Sequence, residues 1–125
     1  MAWSHVPMAD MGAQAIDLDT FRALEDSAGA DFVVELVDAF LEDAPKMLDT
    51  LRASLAARDT VAFRRTAHSL KSNGMTFGAL ALSEMARELE SSAASVVEKG
   101  DAGVLDALVI EEQRVAAALR ELRHA

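Results

Sequence analysis

The chain has 125 residues, enough for one domain with a single core, and no cysteine, which excludes disulfides, thiol catalysis and thiolate metal sites. Its 12 Lys and Arg against 21 Asp and Glu leave a net charge of −9, a balance that repels nucleic acid and anionic lipid. Ala, Leu, Glu and Arg are plentiful, Tyr is absent, and only 2 Pro and 6 Gly interrupt them, so the composition is helical; no apolar run approaches the length of a membrane span.

The first stretch, MAWSHVPMADMGAQA, has neither the basic start nor the long apolar core of a signal peptide. It reads as a flexible leader over residues 1–15, with Trp3 free to dock on the folded domain, which then occupies 16–125. Asp17 is placed to cap a short helix through Ser27 that buries Leu18, Phe21 and Leu24, and Gly29 ends it. Asp31 opens a longer segment in which Phe32, Val33, Leu36, Val37, Phe40 and Leu41 recur at helical spacing, continued by Met47, Leu48, Leu51 and Leu55. Pro45 removes a backbone donor and biases Ala44 away from helical angles, which predicts a kink or short break near Asp43–Pro45.

Asp59 or Thr60 caps the next helix, expected to run to about Asn73, with NGMTFG as a turn whose glycines, Gly74 and Gly78, serve the reversal. Gly78 has the simplest reason: a residue able to take positive φ between two helices. Ala79 begins a further helix, buried along Leu82, Met85, Ala86, Leu89, Ala93 and Val96, and KGDAG ends it. A last helix spans about Gly103 to Arg123, with Leu105, Leu108, Val115, Leu119 and Leu122 inward. No strand pattern or repeat is present. The predicted fold is all-α: an antiparallel four-helix bundle with an additional short N-terminal helix.

One stretch of this acidic chain has no acid. From Thr60 to Ser83 there is no Asp or Glu, where the chain's average composition would place about four. The same stretch holds Arg64, Arg65 and Lys71, with His68 among them. At 100° per residue, Phe63, Thr66, Leu70 and Gly74 fall opposite His68 and face the core, while Arg64, Arg65, Lys71 and Ser72 flank it. Val61 and Met75, seven residues either side, put apolar surface below and above the imidazole.

A solvated helix face that happens to include a histidine is the commoner meaning of such a pattern. A solvated face in a chain this acidic, however, should carry acids spaced to pair with Arg64, Arg65 and Lys71, and apart from Asp59 none is in reach on that helix. The clearing fits a histidine that exchanges phosphate. A neutral imidazole is nucleophilic near neutral pH. Neighbouring cations offset phosphoryl charge, and nearby carboxylates would repel both the phosphoryl group and an acidic donor site. Small residues at Ser69 and Ser72 leave room for a partner to close over the ring.

The stretch AHSLKSNGMTFGA resembles the signature of histidine-containing phosphotransfer (HPt) domains: Ala-His-x-Leu-Lys, then a small residue, with a Gly-Ala pair further on. The preceding DFVVELVDAFLEDAPKMLDTLRASLAARD is similar to that family's helical arm, and LSEMARELE to the segment after the histidine. The resemblance covers Ile16 to Glu90 closely, whereas the last helix matches only in length and pattern. It implies that His68 is phosphorylated, that Lys71 assists the phosphoryl oxygens, and that Ser72, where the family often has Gly, still permits close approach. It further implies a phosphorelay intermediate that accepts phosphate from a receiver-domain aspartate and passes it to another receiver. Those receivers belong to response regulators and hybrid histidine kinases, and the Mg²⁺ belongs to the receiver. Gly78 matches the family's later glycine.

No GxxxxGK[ST] loop or nucleotide lid is present, so a phosphocarrier is expected and not an enzyme. Val61, Arg64, Arg65, Ser69 and Met75 are the expected receiver-docking residues. No cofactor or metal is expected on the bundle itself, and no nucleic-acid or membrane partner. The apolar stripes are accounted for by one bundle, so a monomer is expected. Cysteine-free, Ala- and Arg-rich usage points to a bacterial cytoplasm, and the short leader with a complete bundle favours a free-standing protein.

Two rivals remain at this level. A metal-binding bundle would use ELRH, Glu121 to His124, with Glu111 and Glu112, but a di-iron bundle needs two Glu-x-x-His motifs and inward Glu from further helices. Solvated terminal histidines account for His5 and His124. The other rival is a non-catalytic adaptor bundle that docks helices through Val61 and Met75, with no phosphate involved.

Overall fold

A computed structural model describes residues 15–123, so the expectations for the leader before Ala15, for Trp3 and His5, and for His124 lie outside the described residues. Six α-helices and a 3₁₀ turn follow one another, with no strand among the described residues: α1 Leu18–Ala28, α2 Ala30–Ala56, α3 Thr60–Phe77, α4 Leu80–Ser91, α5 Ala93–Lys99, the turn Ala102–Leu105, and α6 Asp106–Arg123. α2, α3, α4 with its continuation α5, and α6 form the expected antiparallel bundle, and α1 packs on α2 and α3. Ala15, read from sequence as leader, is buried in the core together with Ile16.

The helix boundaries follow from caps. Asp17 has an extended backbone, and its carboxylate accepts from the Thr20 amide at the start of α1. Gly29, at φ 93°, both ends α1 and precedes α2; its N–H donates to the Glu25 carbonyl at 2.8 Å. Asp59 caps α3 by accepting from the Ala62 amide at 3.0 Å. Gly78, at φ 83°, caps its other end, and the Ala79 amide returns to the Gly74 carbonyl at 2.8 Å.

Three boundaries depart from the sequence reading. α2 runs for 27 residues as one helix with Pro45 inside it, so the chain has no break at Asp43–Pro45. Ala44 is fully buried there, and the seam Val33, Val37, Phe40, Ala44, Leu48, Leu51 and Leu55 continues on both sides of the proline, so packing outweighs one lost hydrogen bond. α3 continues through Gly74 to Phe77, so Gly74 is a helical packing residue and not a turn residue. A Cβ on Gly74 would lie 2.6 Å from Ser83 Oγ, and that hydroxyl donates to the Lys71 carbonyl at 3.0 Å. Small residues here let α3 and α4 approach closely. The helix expected from Ala79 to KGDAG is interrupted at Ser92, whose φ of −103° and ψ of 15° separate α4 from α5. Its hydroxyl donates to the Glu88 carbonyl at 2.7 Å, the back-bonding that bends helices at serines.

Most of the predicted core is buried, with Phe63, Leu51, Leu70, Leu82, Leu108, Leu119, Val33, Val37 and Val115 among the largest side chains below 2% exposure. Phe40 and Phe77 meet edge to face, centroids 5.5 Å apart. Leu24, Leu36, Leu41, Met47, Met85, Val96 and Leu122 are only partly buried at the edge of this core. Phe32 is not core: it is half exposed, because Val33 one residue on takes the seam position and turns Phe32 about 100° aside.

Glu111 and Glu112, the carboxylates considered for metal, are both buried on α6. Glu111 Oε1 pairs with Arg114 Nη1 at 2.7 Å, and its Oε2 has no hydrogen-bond partner among the described residues. Among the described residues no cluster of three or more His, Cys, Asp or Glu is placed to hold a metal. Burial pushes the Glu112 carboxyl above its ordinary range, with Arg120 opposing. An acid whose folded pKa is raised is destabilising when ionised, and that penalty fades as pH falls through the folded pKa. Glu112→Gln is therefore expected to raise Tm by a few degrees at pH 7, with the gap to the parent closing as pH is lowered. Thermal melts at both ends of that range check it.

Candidate functional site

α3 places His68 near its middle. Ala67 and Leu70 on either side of it, with Phe63 and Gly74 a turn or more away, are buried, which fixes the rotation of the helix and turns the imidazole outward. The His68 side chain is 57% exposed. Val61 and Met75 are exposed at 62% and 58%, so the apolar surface expected below and above the ring is present. Arg64, Arg65 and Ser72 are exposed. Ser69 is half-buried where α3 faces α2, beside a shallow groove that it lines with Asp43, Lys46, Met47, Thr50, Arg65 and Thr66.

Lys71 differs from expectation. Its side chain is 23% exposed and is engaged, with Nζ donating to Glu90 Oε1 at 2.8 Å. The same carboxylate meets the histidine, its Oε2 lying 2.8 Å from His68 Nδ1. The acid-free clearing read from the sequence is thus a property of α3 alone, because α4 supplies a carboxylate to its centre. The ring is still open to solvent, and among the described residues Glu90 is the acid hydrogen-bonded to it. The Lys71 ammonium first, and the His68 ring second, hold the Glu90 carboxyl below the usual carboxylate range.

Glu90 was not singled out from sequence. Its signal lies in the hairpin geometry: α3 and α4 are antiparallel about Gly78–Ala79, and His68 and Glu90 lie about equally far from that turn. The close contact of Gly74 with Ser83 sets the same register one to two turns nearer the turn. Gly78 stands at the turn itself, ten residues from His68, or roughly 15 Å along the helix. There it pins α1, since the Asp17 amide donates to the Gly78 carbonyl at 2.8 Å.

The arrangement is a solvent-facing imidazole with one nitrogen held, a lysine one turn on, and an apolar and cationic rim.

Comparison with known proteins agrees with this geometry. The chain is 36% identical over 61 residues to histidine-containing phosphotransfer protein 5 of Arabidopsis thaliana, a match covering 46% of this chain and 39% of that protein's length. The fold superposes on the crystal structure of histidine-containing phosphotransfer protein B from Pseudomonas aeruginosa with a TM-score of 0.81 at 28% identity, covering 90% of this chain and 96% of that one. It also superposes on the HPT domain of a hybrid histidine kinase from Shewanella, with a TM-score of 0.69 at 18% identity over 90% and 94% of the two chains, which shows a shared fold. The family model of the Hpt domain matches residues 35–125, a span that contains α3, His68, Lys71 and Glu90, and the chain accordingly belongs to the Hpt domain family.

Proposed function

We propose that this protein is a phosphorelay intermediate in which His68 accepts a phosphoryl group from a receiver-domain aspartyl phosphate and returns or passes it to a receiver aspartate. The observation that carries the reading is the exposed imidazole of His68 in mid-helix, with Lys71 one turn away and Val61 and Met75 exposed on either side. In the forward step the acyl P–O bond breaks, a ring N–P bond forms, and the aspartate leaves as a carboxylate. The protein acts as a phosphocarrier and not an enzyme: it contributes the nucleophile and its placement, while the receiver contributes its aspartate and its Mg²⁺.

Val61, Met75, Arg64, Arg65 and Ser69 form the docking surface in this reading, with Ser72 leaving space beside the ring. A receiver active site is acidic, so the arginines complement it and speed encounter, an effect that salt screens. The protein works as a monomer in the cytoplasm, and no helix among the described residues is long and apolar enough to cross a membrane.

Incubating the purified protein with a panel of phosphorylated receiver domains tests the reading. An acid-labile, base-stable phosphate mapping to His68 is the expected result. Phosphate on another residue, or none from any receiver, overturns it.

Lys71 has a separable role. Lys71→Ala removes the cation that would meet phosphoryl oxygens together with its part-buried pair to Glu90, and it leaves the fully buried side chains of α3 in place. Transfer should fall roughly tenfold, the size of one charge-assisted contact of about 1.4 kcal/mol, while Tm moves little. Stopped-flow transfer beside thermal melts checks it, and a parallel loss in both counts against a role at the phosphoryl group.

A further inference from the structure

Most hydroxyls on and against α3 are bonded to backbone. Thr66 Oγ1 donates to the Ala62 carbonyl at 2.8 Å, Thr76 Oγ1 to the Ser72 carbonyl at 3.2 Å, and Ser83 Oγ to the Lys71 carbonyl at 3.0 Å. The Ser69 and Ser72 hydroxyls make no hydrogen bond among the described residues. Ser69 is half-buried where α3 faces α2, whereas Ser72 is exposed one turn after His68. We propose that the Ser72 hydroxyl contacts the phosphoryl group, donating a hydrogen bond to one of its oxygens while it is carried on His68 and so favouring the phosphorylated form. This rests on the reading of His68 as the phosphoryl acceptor, and it gives Ser72 a part beyond leaving space.

Side chains on an α-helix lean toward its N-terminus, and Cβ atoms four residues apart stand about 5–6 Å from each other, so Ser72 leans over the turn that carries the imidazole. At 100° per residue, Ser72 lies about 40° and Arg65 about 60° to one side of His68, whereas Arg64 lies about 40° and Lys71 about 60° to the other. The Lys71 side faces α4, since Glu90 takes both Lys71 Nζ and His68 Nδ1 at 2.8 Å. The Ser72 side faces α2, where Arg65 and Ser69 line a groove with Asp43 and Lys46. The two nitrogens of an imidazole point away from each other. With Nδ1 turned to α4, the free nitrogen Nε2 is aimed toward the Ser72 side. A phosphoryl group bonded there lies within reach of the Ser72 hydroxyl, and the Lys71 ammonium meets it from the opposite side.

In the transfer step Nε2 attacks phosphorus, the acyl P–O bond breaks, and the aspartate leaves as a carboxylate. In the return step the Nε2–P bond breaks and its electrons stay with the ring. Ser72 makes and breaks no covalent bond in either direction. Its O–H donates to a phosphoryl oxygen, a charge-assisted bond that strengthens as the group becomes dianionic. The other polar groups around the ring have different work. Arg64 and Arg65 flank it on α3 as cations. Glu84 and Arg87 on α4 are paired with each other, and Glu90, a carboxylate, only accepts. A glycine or an alanine at 72 would leave at least as much room and donate nothing, so the hydroxyl is separable from the size of the residue.

The experiment phosphorylates the parent, Ser72→Ala, Ser72→Gly and Ser72→Thr with phosphoramidate, which delivers phosphate to an exposed imidazole without a partner protein as its P–N bond breaks and ammonia leaves. ³¹P NMR then follows the phosphohistidine across pH, assigned against His68→Gln. A hydroxyl donor favours the dianion, so the parent's phosphoryl group should titrate at lower pH than that of Ser72→Ala or Ser72→Gly, with Ser72→Thr close to the parent. The equilibrium of phosphate exchange with a receiver should move about three- to tenfold toward the receiver in Ser72→Ala and Ser72→Gly alike. Thermal melts confirm that each variant is folded. If Ser72 acts only by being small, the titration does not move, Ser72→Ala matches the parent and Ser72→Gly transfers faster; that result overturns the proposal. If phosphoramidate labels His68 and no receiver does, the phosphorelay reading fails while the titration still decides the Ser72 contact. If neither labels His68, both fall.

Discussion

His68→Gln is expected to abolish phosphoryl transfer to below detection while leaving the fold and receiver affinity close to the parent's. The expectation follows from what the side chain does and does not touch. Its imidazole is more than half exposed, so replacing it leaves no cavity. Gln is a good helix former and an amide of similar reach that still offers a donor to Glu90. An amide nitrogen has no available lone pair, so no N–P bond forms. The proposed docking surface, the exposed Val61, Met75, Arg64 and Arg65, is untouched. Calorimetric titration with a receiver, set beside transfer of labelled phosphate, separates the two properties. An adaptor bundle would keep its function in this variant, so retained activity in the pathway alongside retained binding would favour the adaptor reading over the phosphocarrier.

Gly78→Ala is expected to cost about 2–4 kcal/mol of stability, lowering Tm by ~10 °C, while each folded molecule transfers phosphate at close to the parent rate. Two effects add. The residue sits at φ 83°, where a side chain is strained, and a Cβ there would lie 2.8 Å from the Asp17 carbonyl oxygen and 2.9 Å from Thr20 Cβ. That carbonyl already accepts from the Phe21 amide, the first bond of α1, so it cannot move without loosening the helix. Gly100→Ala is the control. Its φ of 66° carries the same kind of strain, but the nearest atom to a Cβ is Arg58 Nη2 at 3.5 Å. It should cost about 1–2 kcal/mol, the strain alone. Equal losses in urea denaturation would show that crowding against α1 contributes nothing.

The two glycines of NGMTFG show where local reading stops. Both look like turn residues in sequence, and only Gly78 takes the left-handed conformation. Gly74 is helical, and its lack of a side chain matters because Ser83 of α4 stands against it. Pro45 errs in the same way: its local preference is for a break, yet α2 passes through it because a long buried seam on both sides holds the helix together. Ser92 gave no comparable warning of the break that separates α4 from α5.

What the amino-acid sequence determined by itself is the helix bundle, the outward aim of His68, and its apolar and cationic flanks at Val61, Met75, Arg64 and Arg65. Those follow from the 100° step of a helix, which is settled within a turn or two of each residue. The tertiary structure alone decided that a carboxylate stands on the ring and shares Lys71. That pairing depends on the register and rotation of α4 against α3, which the close packing of Gly74 on Ser83 sets across a turn. Residues 22 apart in the chain meet only once the core has chosen that register.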